Sequence, residues 1–444
     1  MRPILSTSLK VAVIGIGGYA SEHHQVFLDL EEEGLVQIIA TCDPALAQLQ
    51  SLVKYFNFSG RGVEVLTDFS QLMDRHGASL DLVVVATPVH FHSTMHAVCA
   101  SRGIACYVEK PPTLDPAELE RMILDDRQAV HATHVGFHYV HQRERRDFKK
   151  RCLAGEFGEL ERLSLLGLSR RNQSYYSRNN WAGCLRVGNR MVLDSCCGNA
   201  LAHQLNSLLF FAGQGALDTW GSPREVEAEL YRANAIEGTD TVFARCRLES
   251  GIDLRIAASH ACANLSPVIT ERLDFEKAIV EIRTDGLGTI QHRDGRIESL
   301  SMPPASLHDN VRRYLAYLAG RHTRPIVSLK DSRPFVELDA LLYVAAPTIH
   351  DVPSDCTQVF TVPGESHPSV AIAHLEAVAQ RFIRDGIFPS KTNLRWAGAG
   401  GTATRHQLDA LPRMISALQS ARHDSKEACH NVPELAAEMQ LEQS

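Results

Sequence analysis

The sequence predicts two unlike parts: an α/β part on a parallel sheet, then an α+β part on a large, open, mostly antiparallel sheet. Three observations carry this. From Lys10 an apolar run, VAVIGIGGYASEHH, passes through glycines into helical spacing. Over residues 81–112 two short β-branched runs flank about fifteen helix-compatible residues, a β-α-β pattern whose strands must lie parallel. After Arg143, strand-like runs recur with few helices between them, namely ERLSLLGLS, EVEAELYR, DTVFARCRLE, IDLRIAASHA, RLDFEKAIVEIRT and TIQHRD, the habit of antiparallel sheets.

In the first part the glycines read Gly15-Ile16-Gly17-Gly18-Tyr19-Ala20, between a strand and a helix carrying Phe27, Leu28 and Leu30. Gly15 permits a tight turn, Gly17 lets the backbone approach a pyrophosphate, and Ala20 lets the helix pack closely on the strand. A Rossmann dinucleotide-binding domain is the expectation; a strand-turn-helix without ligand is the alternative. The second apolar run, VQIIATCD, ends at Asp43. A carboxylate there accepts hydrogen bonds from an adenosine ribose and repels a 2′-phosphate, so NAD is expected, with NADP as the alternative. Asp43-Pro44 is equally a good helix start. Thr87-Pro88, with His92, and Glu109-Lys110-Pro111 follow the next two strands, at the ends where such sheets hold ligands. Each Pro stops its ladder, and the second end brings a lysine to the cofactor.

The chain of 444 residues is long enough for two domains with full cores. With 45 Lys and Arg against 52 Asp and Glu, no nucleic-acid or anionic-membrane footprint is expected. The basic run at residues 143–151, interleaved with Glu144, Asp147 and Phe148, reads as a solvated helix face. The 11 cysteines are scattered and never spaced Cys-x-x-Cys, which fits a reduced, cytoplasmic setting. Neither a signal peptide nor a run long enough to span a membrane is expected.

Domains are expected at residues 1–135, 136–350 and 351–444, the last an extension packing on the others with a polar tail from about 420. The open sheet offers a face for pairing two copies into a homodimer or homotetramer. His131, His134, His138 and His141 would align as a metal face on a helix, but Gly136 and β-branched neighbours favour a strand, so no metal is expected. Residues 194–213 read as a helix with Asn199, His203 and Asn206 on one face and Leu201, Leu205, Leu208 and Ala212 opposite. Such a polar stripe needs partners or a wet cleft; a hydrogen-bonded core histidine is the bland alternative.

In this order, the Gly15 to Ala20 loop, Thr87-Pro88 with His92, Glu109-Lys110-Pro111, Gly155-Glu-Phe-Gly158 and Asn199-x-x-x-His203-x-x-Asn206 resemble the glucose-fructose oxidoreductase, inositol dehydrogenase and rhizopine-catabolism (Gfo/Idh/MocA) family. The resemblance covers residues 9–350 and implies a nicotinamide cofactor and sugars, cyclitols or their acids and ketones as substrates. It implies that Lys110 lies beside the substrate hydroxyl and that His203 transfers a proton. The chain departs from the pattern with Asn at 199 and 206, where the family often has Asp, and with Val140 where many members carry Arg. Asp194 is the candidate to supply the missing charge, holding His203 together with Asn199; His138 and Asn206 are expected to face the substrate. Hydride transfer between a secondary alcohol and NAD is the first reading. Redox-neutral glycoside cleavage by transient oxidation and a non-catalytic dinucleotide-binding regulator are the alternatives.

Overall fold

The computed structural model describes residues 8–425. In chain order the first part holds β1 (Leu9–Ile14), α1 (Ala20–Glu32), β2 (Val36–Cys42), α2 (Gln50–Tyr55), β3 (Glu64–Leu66), α3 (Phe69–His76), β4 (Leu82–Val85), α4 (Val89–Ser101), β5 (Ala105–Val108), α5 (Pro116–Asp126) and β6 (His134–Val135). These strands pair in parallel as β3-β2-β1-β4-β5-β6. The strand order reverses between β1 and β4, which opens a crevice at their carboxyl ends. Both strands are apolar throughout their middles because helices cover both faces of the sheet. Phe27, Leu30, Phe56 and Phe58 fill one side; Leu72, Met73 and Cys99 fill the other. Asp68 and Asp115 cap α3 and α5 with their carboxylates.

The rest comprises α6 (Arg143–Leu153), β7 (Leu160–Leu168), α7 (Gln173–Ser177), β8 (Arg186–Val187), β9 (Arg190–Met191), α8 (Ala202–Ala212), β10 (Pro223–Arg232), β11 (Thr241–Leu248), β12 (Asp253–Ser259), β13 (Val268–Phe275), β14 (Ala278–Arg283), β15 (Leu287–His292), β16 (Ile297–Ser301), α9 (Leu307–Leu318), α10 (Leu329–Ala345), β17 (Ile349–Asp351), β18 (Thr357–Phe360), β19 (Ser369–Ile372), α11 (Leu375–Asp385), β20 (Gly401–Thr404) and α12 (Leu411–Ser425). The large sheet runs β16-β15-β14-β13-β7-β12-β11-β10-β17, with β20 beside β10. Its pairs are antiparallel except β7 with β12 and β10 with β17. Helices α8 and α10 bury Leu205, Leu209, Phe335 and Leu341 against one face. Helix α9 returns to the first sheet, where Val311, Tyr314 and Leu315 join its core.

Several expectations change. The run RLDFEKAIVEIRT is two strands, β13 and β14, folded back at Glu276 and Lys277. Only His134 and Val135 of the histidine-rich segment form a strand; residues 138–141 wind as a 3₁₀ turn. Residues 369–372 pair with β18, and His374 in the left-handed region (φ 59°) turns the chain into α11. The basic helix face is only half solvated. Arg145 and Lys149 are buried, one on Glu271, the other donating to the Thr219 carbonyl with its ammonium 4.1 Å from the Phe210 ring centroid. Helix α12 runs to Ser425, into the start of the expected polar tail; the remainder of that tail lies outside the described residues.

The extension covers much of the other face of the large sheet. Leu375, Phe382, Phe388 and Trp396 pack on Leu168, Tyr231, Phe243 and Ala257, and Arg255 donates to the carbonyls of Ile383 and Arg384. The glycines after Trp396 are needed for close approach: a Cβ on Gly400 would lie 1.7 Å from the Ala228 carbonyl oxygen, and one on Gly401 2.6 Å from that of Ala345. The face expected to receive a second copy is therefore occupied over β7, β11 and β12 by the chain itself. Beyond that cover, Arg162, Asp274, Arg272 and Glu281 form a charged ladder.

Candidate active site

The glycine loop leaves β1 at the crevice. Gly15 has φ 94°, and a Cβ there would meet the Ala86 carbonyl oxygen at 2.9 Å and the Ala20 Cβ at 3.1 Å, so this turn admits no side chain. Gly18 has φ 56° and open space around its Cβ position. At the end of β2, Asp43 Oδ2 accepts from the amides of Ile16 (2.9 Å) and Gly17 (3.4 Å), while its Oδ1 accepts from Ala45. The carboxylate thus starts the next turn, the second role weighed for it, and also fixes the glycine loop, a role the sequence did not suggest. Tyr19 stands at the N-terminus of α1 without a side-chain cap, nearly half exposed, and its ring meets His23 edge-on. The amides of Gly18 and Tyr19 have no acceptor among the described residues and lie at a positive helix end. This cradle fits a dinucleotide pyrophosphate.

Two strand ends face this loop. His92 is buried, its ring nitrogens 2.9 Å from the Pro111 carbonyl and 2.8 Å from the Thr87 carbonyl, so it clasps the ends of β4 and β5. It was expected among the cofactor-binding residues; as a neutral imidazole, which its burial favours, it donates to one of these two carbonyls while its ring lies between the two strand ends, and Pro88 stands at the start of α4 beside it. Glu109 is likewise spent within the protein. Its Oε1 accepts from His23 Nε2 (2.9 Å) and its Oε2 from the Lys110 amide (3.0 Å). Burial pushes this carboxyl up, but the His23 hydrogen bond and the neighbouring positive charges outweigh it and hold Glu109 below the usual range.

Lys110 extends from the end of β5 to the turn before α8. Its Nζ donates to the Asn199 backbone carbonyl (3.0 Å) and to Asn199 Oδ1 (3.3 Å). Asn199 Nδ2 donates in turn to Asp194 Oδ1 (2.9 Å), whose Oδ2 accepts from the Gly183 amide (2.7 Å). An ammonium has three N–H groups, so one remains for a substrate. Burial lowers the Lys110 pKa against the opposing charges of Glu109 and Asp194. Burial raises that of Asp194 against hydrogen bonds from Gly183 and Asn199.

His203 stands in different surroundings. Its ring stacks on Tyr139 (centroids 4.7 Å, planes 12° apart) and lies 4.1 Å from the His138 ring and 6.1 Å from that of Phe137. Arg145, bidentate on Glu271 of β13, has its guanidinium carbon 5.1 Å from the Tyr139 ring centroid. Burial holds His203 well below its ordinary pKa, and the charges of Lys110 and Arg145 add to this. These effects favour the neutral imidazole, the form that can accept a proton.

The expectation that Asn199 and Asp194 hold His203 is replaced, because the pair holds Lys110. Residues Cys196–Ala200 form a turn of π-helix before α8 begins at Ala202, so Asn199 is not one α-turn before His203. Asn206 is fully buried, with neither amide atom partnered among the described residues, and so does not line an open cleft. His138 does join His203. Tyr139, which holds the imidazole, was missed; its only sequence signal was its place beside His138.

A family model described as an oxidoreductase family with an NAD-binding Rossmann fold matches residues 9–137. The chain is 27% identical over 156 residues to D-glucoside 3-dehydrogenase of Escherichia coli (strain K12), covering 35% of this chain and 42% of that protein. It is 27% identical over 164 residues to inositol 2-dehydrogenase of Leifsonia xyli subsp. xyli, covering 36% and 45%. The chain thus matches less than half the length of these curated relatives. Among solved structures, the WlbA dehydrogenase from Bordetella pertussis in complex with NADH and UDP-GlcNAcA has TM-score 0.63 at 18% identity, covering 76% of this chain and 96% of that one. Levoglucosan dehydrogenase in complex with NADH and levoglucosan has TM-score 0.60 at 16% identity, covering 75% and 95%. At these identities the likeness is one of fold. The family match over residues 9–137 coincides with the parallel six-stranded sheet and its glycine loop, so this part of the chain resembles the NAD-binding Rossmann domain of the Gfo/Idh/MocA oxidoreductases.

Proposed function

We propose that the protein is an NAD-dependent oxidoreductase moving a hydride between nicotinamide and a secondary alcohol or ketone of a sugar, cyclitol or related polyol. The observation that carries this reading is Lys110, fixed at the carboxyl end of β5 by Asn199 and Asp194, with neutral His203 close enough to feel its charge. The amides of Gly18 and Tyr19 would hold the pyrophosphate and Asp43 the adenosine ribose, which favours NAD over NADP. NAD, when bound, supplies the hydride acceptor for oxidation. The free N–H of Lys110 would point to the substrate oxygen and favour its alkoxide. His203 would accept the hydroxyl proton. Tyr139 and His138 would keep its ring in place, while Glu109 and His92 would fix the strand ends that aim Lys110.

The free cysteines suit a cytoplasmic setting, and among the described residues no helix is long and apolar enough to cross a membrane. Self-association into a dimer or tetramer would have to use surface other than the strands covered by α11. The test is a panel of sugars, cyclitols and sugar acids with NAD or NADP, followed by nicotinamide absorbance. Reduction of NAD by at least one polyol, with NADP poorer, is expected. A protein that binds NAD yet reduces it with no member of the panel would overturn the reading.

A further inference from the structure

The segment between β7 and Gly183 contributes the sequence Arg170-Arg171-Asn172-Gln173-Ser174-Tyr175-Tyr176-Ser177-Arg178, which the proposed chemistry does not use. Two of its three arginines, Arg171 and Arg178, converge on one ring. The Arg178 guanidinium lies 3.5 Å from the Tyr175 centroid and 5.3 Å from that of Trp181; Arg171 lies 4.9 Å from Tyr175. Stacking uses the flat faces of a guanidinium and leaves its N–H groups, which lie in its plane, for other acceptors. Arg178 gives Nη1 to the Tyr175 carbonyl. Neither Arg171 nor Arg178 forms an ion pair among the described residues, whereas adjacent Arg170 is bidentate on Glu365.

The surroundings carry further unmatched polarity. Arg171 Nε and the Tyr176 hydroxyl are buried with no partner among the described residues. His260 is 2% exposed, and its ring is 5.7 Å from that of Tyr175. Its Nδ1 donates to the Ser169 carbonyl at 2.7 Å, which leaves a bare Nε2, also without a partner among the described residues. Burial pushes His260 down to about 3, so at neutral pH that nitrogen is an acceptor needing a hydroxyl. The cluster adjoins the lysine network, since the segment ends on the Gly183 amide that donates to Asp194, and Asp194 feels Arg178 and Lys110 alike. Asp194, the nearby carboxylate, already faces Lys110 through Asn199.

We propose that Arg171 and Arg178, displayed on Tyr175 beside Asp194, form a subsite for an oxyanion carried by the polyol substrate, with His260 accepting from a hydroxyl next to it. This rests on the reading of the Lys110 and His203 region as the place of hydride transfer. The substrate class narrows to polyols bearing a carboxylate or a phosphate.

Three probes that share one ring separate the cases: methyl α-D-glucopyranoside, its uronate (carboxylate at C6) and its 6-phosphate. NADH formation gives kcat/KM for each. Trp181 fluorescence in NAD-loaded Lys110→Ala protein gives binding without turnover. At least one anionic probe is expected to be favoured about tenfold or more over the neutral one in both measurements, the worth of one charge-assisted hydrogen bond. Whichever is favoured tells carboxylate from phosphate. In Arg178→Gln, and separately in Arg171→Gln, that preference is expected to fall severalfold, with the loss in KM and not kcat. Equal treatment of neutral and anionic probes, or a preference that survives both substitutions, overturns the subsite. Tight, arginine-dependent binding of an anionic probe without NADH formation would leave the subsite standing and overturn the hydride-transfer reading instead.

Discussion

Lys110 and His203 are assigned to one reaction but are held by opposite means. Lys110 is tied by directional hydrogen bonds to Asn199, and through it to Asp194, with Glu109 on its own strand. His203 has its Nδ1 buried without a partner among the described residues and is kept in place by the faces and edges of Tyr139, His138 and Phe137. Hydrogen-bonded carboxylates set the charge of a group as well as its direction, whereas stacked rings set direction and exclude water. The lysine should therefore respond to single changes of charge, and the histidine to changes of packing.

The largest expected effect lies behind the histidine. Arg145 and Glu271 are both buried and joined by two hydrogen bonds, so Glu271→Gln leaves a guanidinium without its counter-charge. We expect a loss of about 3–5 kcal/mol in urea unfolding, as for other broken buried pairs. A loss under about 1 kcal/mol, the scale of exposed pairs, would mean that the support of Tyr139 does not depend on this pair.

On the lysine side, Lys110→Ala removes the group without exposing a buried partner. Turnover should fall by at least about 10²-fold, the lower range for a general acid-base group, while NAD still quenches or shifts protein fluorescence on binding. Retained turnover would remove Lys110 from the chemistry. Tyr139→Leu keeps bulk but loses the stack, and we expect turnover to fall by about five- to tenfold, the scale of an aromatic pair. Unchanged kcat would assign the ring a purely structural part.

What was legible follows from how far each feature reaches along the chain. Gly15 to Ala20, Asp43 and the ends of β4 and β5 are local: an apolar strand, a punctuating Gly or Pro and a short polar motif suffice to write them. Asn199 was visible but misdirected, because numbering by 3.6 residues per turn cannot register a π turn at Cys196–Ala200. The burial of Arg145 depends on Glu271, 126 positions away, and that of Trp396 on Tyr231 and Phe243. Neither partner is signalled by spacing. The arginines around Tyr175 were in plain view as an Arg- and Tyr-rich segment, but nothing local says that it folds toward Asp194.

The smallest expected effect tests the comparison most directly. Asp194→Asn removes a charge that helps keep Lys110 protonated, so the Lys110 pKa should fall further below its ordinary value. Activity that needs the ammonium is lost as pH rises through that pKa, and the basic limb of kcat against pH should therefore move to lower pH. Adding Asn199→Asp to it exchanges amide and carboxylate. The hydrogen bond between the two positions survives, and the negative charge moves to the oxygen that now lies 3.3 Å from Nζ. The basic limb should then return to the wild-type position or pass above it, because the carboxylate touches the ammonium directly instead of through an amide. His203 makes no hydrogen bond to either position, so the acidic limb should stay nearly still in both variants. A swap that moves the acidic limb while leaving the basic one in place would show that residue 199 governs the histidine after all, as the family pattern implied.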